Sequence, residues 1–254
     1  MTARSTCLVL VPGLACTEDL FADQIATLRG DLAISVADHT RHDTVSGIAR
    51  AVLAAAPDRF ALCGLSMGGY IAFEVMRQAP DRVERLALLD TSALPDTPEQ
   101  SERRLTLIAM AQSGEFKSVR DTLWPLLVHP ARHHDVALKR AVFKMMDDTG
   151  PETFIRQEKA IMSRPDSRPS LGAIHCPTLV LVGNEDALTP VSAARQEHVR
   201  PRHSCSENRL PESLQKRISL HCIASEGRAS CSIVTCCLLD QVPVACNSRS
   251  TIGR

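Results

Sequence analysis

At 254 residues and 27.7 kDa, the chain has room for one large α/β domain, alone or with a small lid. Lys plus Arg and Asp plus Glu each number 29, so the net charge is zero, without the basic excess of nucleic-acid or anionic-membrane binders. Composition is ordinary for a globular protein at 44% hydrophobic, and no apolar stretch approaches the roughly 18 residues of a membrane-spanning helix.

Two periodicities alternate along the chain. Residues 7–11, CLVLV, form an all-apolar run stopped by Pro12 and Gly13, which predicts a parallel strand covered on both faces. The first sixteen residues also carry a faint secretory pattern, but Pro12 and Gly13 cut the apolar run short and the strand reading prevails. A cytoplasmic location is therefore expected. A helix follows with Leu20, Phe21, Ile25 and Leu28 on one face and Gly30 as its stop. LAISVAD is a second strand, and Thr44 caps a helix that Pro57 ends. FALCG is a third strand, and the helix MGGYIAFEVMRQ is closed by Pro80. RLALLDTS and PTLVLVG supply a fourth and a fifth strand. This alternation predicts an open, mostly parallel sheet with helices on both faces.

Between residues 95 and 170 the strand signal vanishes. Apolar positions at Leu105, Ile108 and Ala109, at Leu123, Leu126 and Leu127, and at Val136, Leu138, Val142, Met145 and Met146 predict three or four short helices. An excursion of this length is too long for an ordinary crossover and reads as a lid over the carboxyl edge of the sheet. The expected division is therefore a core of residues 1–94 and 171–254 and a lid of residues 95–170. Trp124, the only Trp, is expected in the lid core, with a pocket wall as the alternative.

From Gln196 onward the character changes. The last aromatic residue is Phe154, and six of the ten cysteines (Cys205, Cys222, Cys231, Cys236, Cys237, Cys246) crowd into residues 196–254. None of their spacings is that of a zinc knuckle. RISLHCIA and CSIVTCCLLDQVPVA are candidate strands, but no covering helix follows either.

The sharpest motif is Gly64-Leu65-Ser66-Met67-Gly68, directly after the strand FALC and directly before a helix. A serine on such a sharp turn needs glycine on either side, because side chains there collide. Its hydroxyl stands above the sheet, and the Met67 N–H, in the first turn of the helix, is open to an oxyanion.

On these residues the chain resembles the α/β-hydrolase superfamily, in particular its smaller esterase, lactonase and haloperoxidase-like members, from about Cys7 to about Gln196. VPGLACTEDLF resembles the family's oxyanion loop, with Pro12-Gly13 in place of the usual His-Gly, which implies Leu14 as the second backbone donor. LVLVGNEDALTP resembles the acid loop and implies Asp186 as the triad acid; Glu185 and Asp90 are alternatives near the same sheet edge. The family's first two strands have no counterpart, since the chain opens at what corresponds to the third.

The histidine departs from the family pattern. Some 25 to 30 residues should separate the acid from a Gly-His pair. That count ends between Pro211 and Lys216, where there is no histidine, and Gly-His occurs nowhere in the chain. His221, which follows the apolar-alternating RISL, is the chosen base, ahead of His198 and His203; His129, His133 and His134 belong to the lid, and His39 and His42 follow the second strand. One cause unites these departures: residues 196–254 read as a shifted or replaced reading frame joined to a normal hydrolase, with a homodimer through the tail as one consequence.

The expected function is hydrolysis of a small carboxylic ester or lactone by Ser66, Asp186 and His221, with Leu14 and Met67 as the oxyanion hole. No metal and no organic cofactor is called for. The rivals are a binding protein that keeps the pocket but lacks the base, and a haloperoxidase or carbon–carbon hydrolase on the same scaffold.

Overall fold

The computed structural model describes residues 7–183, 185, 186 and 188–194. The tail from Gln196, its candidate strands, its dimer contact and His198, His203 and His221 lie outside the described residues.

Among the described residues, five parallel strands form one sheet: β1 (Cys7–Val11), β2 (Ala33–Val36), β3 (Phe60–Leu65), β4 (Val83–Leu89) and β5 (Thr178–Leu181), in the order β2-β1-β3-β4-β5. The central strands are apolar throughout because both faces are covered. Successive side chains of a strand point to opposite faces. Val9 and Val11 thus join Leu62, Leu86 and Leu88 under α2 (Val45–Ala55) and α3 (Met67–Gln78). Leu8 and Leu10 join Cys63, Ala87 and Leu89 on the other face, against Phe21 and α1 (Ala22–Leu28). The register keeps each set together, with Leu8 opposite Ala61 and Leu10 opposite Cys63. Only β2, at the sheet margin, alternates between exposed and half-buried.

Local signals set the helix ends. The Thr44 hydroxyl accepts from the Gly47 N–H, and α2 stops short of Pro57. α3 ends at Gln78, before Pro80.

Four helices lie between β4 and β5: α4 (Pro98–Gln112), α5 (Phe116–Leu127), α6 (Val136–Thr149) and α7 (Pro151–Met162). Thr97 and Gln100 form a reciprocal capping box on α4. Gly150, at φ 76°, breaks the chain between α6 and α7, and Pro151 starts the latter.

These helices share a core of their own, in which Trp124, Val142, Met146 and Phe154 pack together with Ala15 from the loop after β1. Trp124 is buried in this helical core; its neighbour Pro125 lines a cavity. Three of the expected apolar positions are corrected, and Ala109 is one of them, exposed on α4. Leu105 is 55% exposed and Val136 79%, because α4 buries Leu107, Ile108 and Ala111 instead, and Val136 is the first residue of α6. No helix among the described residues is long and apolar enough to cross a membrane.

Candidate functional site

Among the described residues, three non-glycine residues have positive φ: Ala15 at 53°, Ser66 at 52° and Asp90 at 40°. Such backbone is unfavourable for residues with a Cβ and concentrates where a site needs it. All three lie at the carboxyl ends of strands: Ala15 beyond β1, Ser66 at the end of β3 and Asp90 at the end of β4.

The Ser66 turn is built to hold this geometry. Its N–H donates to Leu89 O at 2.9 Å, and its carbonyl accepts from the Thr91 hydroxyl at 2.8 Å. A Cβ on Gly64 would come under 3.0 Å from the Gly68 and Gly69 backbone, and one on Gly68 under 3.0 Å from the carbonyls of Val11 and Pro12. Both flanking glycines are therefore required by close backbone approach. Met67 opens α3, and among the described residues neither its N–H nor that of Leu14 has a hydrogen-bond acceptor.

The loop carrying Leu14 is pinned from two directions. His39, which is buried, donates its Nε2–H to Gly13 O at 3.0 Å, and burial pushes its pKa down, which favours the neutral ring. Gln157, fully buried on α7, accepts from the Ala15 N–H at 2.8 Å. One side chain follows β2 and the other comes from the helical insert, so the loop's shape depends on both. Cys16 lies in the same loop, but burial pushes its thiol up to about 12, and it is no thiolate nucleophile near neutral pH.

Ser66 opens onto two cavities, each of about 300 Å³. Leu14, Tyr70, Leu107, Leu123, Ile161 and Glu158 line part of the first, so α4, α5 and α7 wall it. Asp90, His129, Glu185 and Asp186 border the second. Ser66 and Asp186 thus share a cavity, as do Ser66 and Leu14. His221 lies outside the described residues and has no placement.

Asp186 follows β5, and its carboxylate is engaged locally. Oδ1 accepts from the N–H groups of Leu188 and Thr189, each at 2.8 Å, and Oδ2 from the Thr189 hydroxyl at 2.7 Å. Of the alternative acids, Asp90 accepts from the Gly183 N–H at 2.8 Å and joins β4 to the acid loop. Glu185 reaches His129 Nε2 at 2.6 Å. His129 Nδ1 accepts from the Ala131 N–H, so Nε2 carries the proton and donates it to Glu185. In this arrangement His129 offers Ser66 no lone pair.

A charged network lies behind the first cavity. Arg104 of α4 bonds Asp96 at 2.6 Å and Glu158 of α7 at 2.7 Å, and Arg164 bonds Asp96 at 2.8 Å. Burial raises the Asp96 carboxyl, but Arg104 and Arg164 outweigh it and hold it below the ordinary carboxylate value. Burial pushes Glu158 up, with Arg104 pulling against it. The motif reading missed this network and both loop braces. One signal was present: Gln157 and Glu158 interrupt the apolar stripe of Phe154 and Ile161 on one helix face.

A sequence profile described as the alpha/beta hydrolase family matches residues 8–211. The chain belongs to the α/β-hydrolase family. Among relatives of the chain, the pimeloyl-[acyl-carrier protein] methyl ester esterase of Chromobacterium violaceum is 29% identical over 137 residues, 52% of this chain and 54% of that protein. Its counterpart in Nitrosomonas europaea is 26% identical over 153 residues, 56% of this chain and 60% of that protein. The chain thus matches little more than half the length of these curated relatives. A thermophilic esterase from Thermogutta terrifontis superposes with a TM-score of 0.71 at 25% identity, covering 80% of each chain. The enol-lactonase of Burkholderia xenovorans LB400 gives 0.71 at 22% identity, covering 80% of this chain and 82% of that one, which speaks to the fold alone.

Proposed function

We propose that this hydrolase cleaves small carboxylic esters or lactones through an acyl-enzyme on Ser66. The observation that carries the proposal is the Ser66 turn: positive φ at a strand–helix junction, glycine required on both sides, and an opening onto a cavity. Ser66 Oγ attacks the acyl carbon while the N–H groups of Leu14 and Met67 receive the developing oxyanion. The hydroxyl proton passes to an imidazole and on to the departing alkoxide, and water then releases the acid. His221 is assigned as that imidazole and Asp186 as the group that orients it. The helices of residues 95–170 act as the lid and the remaining residues as the core. The likeness to two methyl ester esterases supports an ester over other acyl substrates.

Asp186 tests the reading. With Asp186→Asn, kcat for a methyl ester should fall by about 10³ to 10⁴ while the unfolding midpoint changes little. A loss under threefold would move the acid role to Asp90 or Glu185.

A second reading rests on the same residue. The three donors on Asp186 come from its own loop, and among the described residues no imidazole reaches it. A protein that binds esters without turning them over has this arrangement too. Saturable ester binding with no measurable product from the full chain would select it.

A further inference from the structure

The charged side chains that line the first cavity do not balance. Asp96 and Glu158 supply two carboxylates, and Arg103, Arg104 and Arg164 supply three guanidinium groups. Arg104 is engaged by Asp96 and Glu158, and Arg164 by Asp96, Leu94 O and Ile161 O. The Arg103 side chain makes no ion pair or hydrogen bond with another described residue, Glu99 one turn earlier on α4 included. Arg103 is also exposed, whereas Arg104 and Arg164 are largely buried. Leu107, one turn further along the same face of α4, is buried. The surplus positive charge thus stands at the solvent end of the wall, and apolar side chains, among them Leu107, Leu123 and Ile161, line the cavity further in.

The second cavity has the opposite character. Asp90, Glu185 and Asp186 border it, and among the described residues no Lys or Arg does. An anionic group on a substrate is therefore favoured in the first cavity and opposed in the second. On the acyl-enzyme route, the departing alkoxide takes its proton from the imidazole that Asp186 orients. Asp186 borders the second cavity, so the alcohol part of the ester lies there and the acyl part in the first.

We propose that Arg103 is a substrate-binding residue for a carboxylate at the far end of the acyl chain, so that the preferred substrates are half esters of dicarboxylic acids. One unmatched guanidinium suits a monoanion, which it can meet with two parallel N–H donors. The methylene chain lies along Leu107, Leu123 and Ile161, with the ester at Ser66. This deepens the ester-hydrolase reading and rests on it for the pose.

Binding separates the two ideas. In the full chain carrying Ser66→Ala, esters remain intact and calorimetry reads affinity without turnover. The probes are the monomethyl esters of succinic, adipic and suberic acids at pH 7, where the free carboxyl is ionised, and the corresponding dimethyl esters. The dimethyl ester of each pair is the more apolar and loses less hydration on entering the cavity, so a preference for the half ester reports a charge contact.

At least one half ester should bind fivefold or more tightly than its dimethyl counterpart, a difference of about 1 kcal/mol. Arg103→Gln should reduce the preference to twofold or less. Arg140→Gln removes a charge from α6 outside both cavities and should leave the preference nearly unchanged. Equal or weaker binding of every half ester overturns the proposal, as does a failure of all the esters to bind. A preference that survives Arg103→Gln, or that falls as far in Arg140→Gln, overturns it too. A half-ester preference in a protein that never acylates on Ser66 would leave the subsite standing and remove the hydrolase reading.

Discussion

Ser66→Ala is expected to reduce kcat for a methyl ester by about 10⁶-fold, the scale seen when a nucleophile is removed from a triad that works as a unit. The fold should survive, because the turn is held by backbone and by neighbours: the Ser66 N–H on Leu89 O, the Ser66 carbonyl on the Thr91 hydroxyl, and close packing at Gly64 and Gly68. Steady-state hydrolysis and circular dichroism on the same preparation check both halves. A loss of less than tenfold would mean that chemistry at this site proceeds without the serine.

The second large effect is expected at Gly68. An added Cβ would meet the carbonyls of Val11 and Pro12 at under 3.0 Å, and backbone atoms cannot swing aside as a flexible side chain can. Relief requires α3 to move off β1. Gly68→Ala should therefore destabilise the protein by at least about 3 kcal/mol, at the upper end of overpacking costs. Because Val11 and Pro12 lead directly into Gly13 and Leu14, the same movement displaces the loop carrying Leu14 from Ser66. Gly172→Ala, where an added Cβ meets nothing within 4 Å, is the control and should change stability by no more than about 0.5 kcal/mol. Urea midpoints for the two variants decide the matter, and similar midpoints would show that the contact at Gly68 yields.

What the sequence made legible was local. Apolar runs bounded by Pro and Gly located all five strands, Thr44 marked a helix start, and the glycines around Ser66 announced a turn whose positive φ the structure bears out. What it hid depends on distant partners. Gln157 meets Ala15 across 142 positions and Arg104 meets Glu158 across 54, so no local pattern distinguishes these side chains from solvated ones. His39 is similar: it is one of several histidines in the text, and only the fold shows it bracing Gly13 O. Leu105 illustrates the limit of helical periodicity. Ile108 fits both the expected stripe and the observed one, and tertiary packing selects Leu107 and Ala111 beside it.

The braces also couple the helices between β4 and β5 to the surroundings of Ser66. Gln157 stands on α7 and holds the Ala15 N–H, and Glu158, next on the same helix, faces the Ser66 cavity. A shift of α7 would therefore change the loop carrying Leu14 and the cavity at Ser66 together.

Mapping the site of covalent labelling tests the central claim most directly. The full chain is incubated with a fluorophosphonate, which phosphonylates an activated serine, then digested and examined by peptide mass spectrometry. The expected result is a stoichiometric adduct on the peptide containing Ser66, abolished by Ser66→Ala. An ester-hydrolysing preparation whose adduct lies on a different serine, with Ser66 unmodified, would contradict the account.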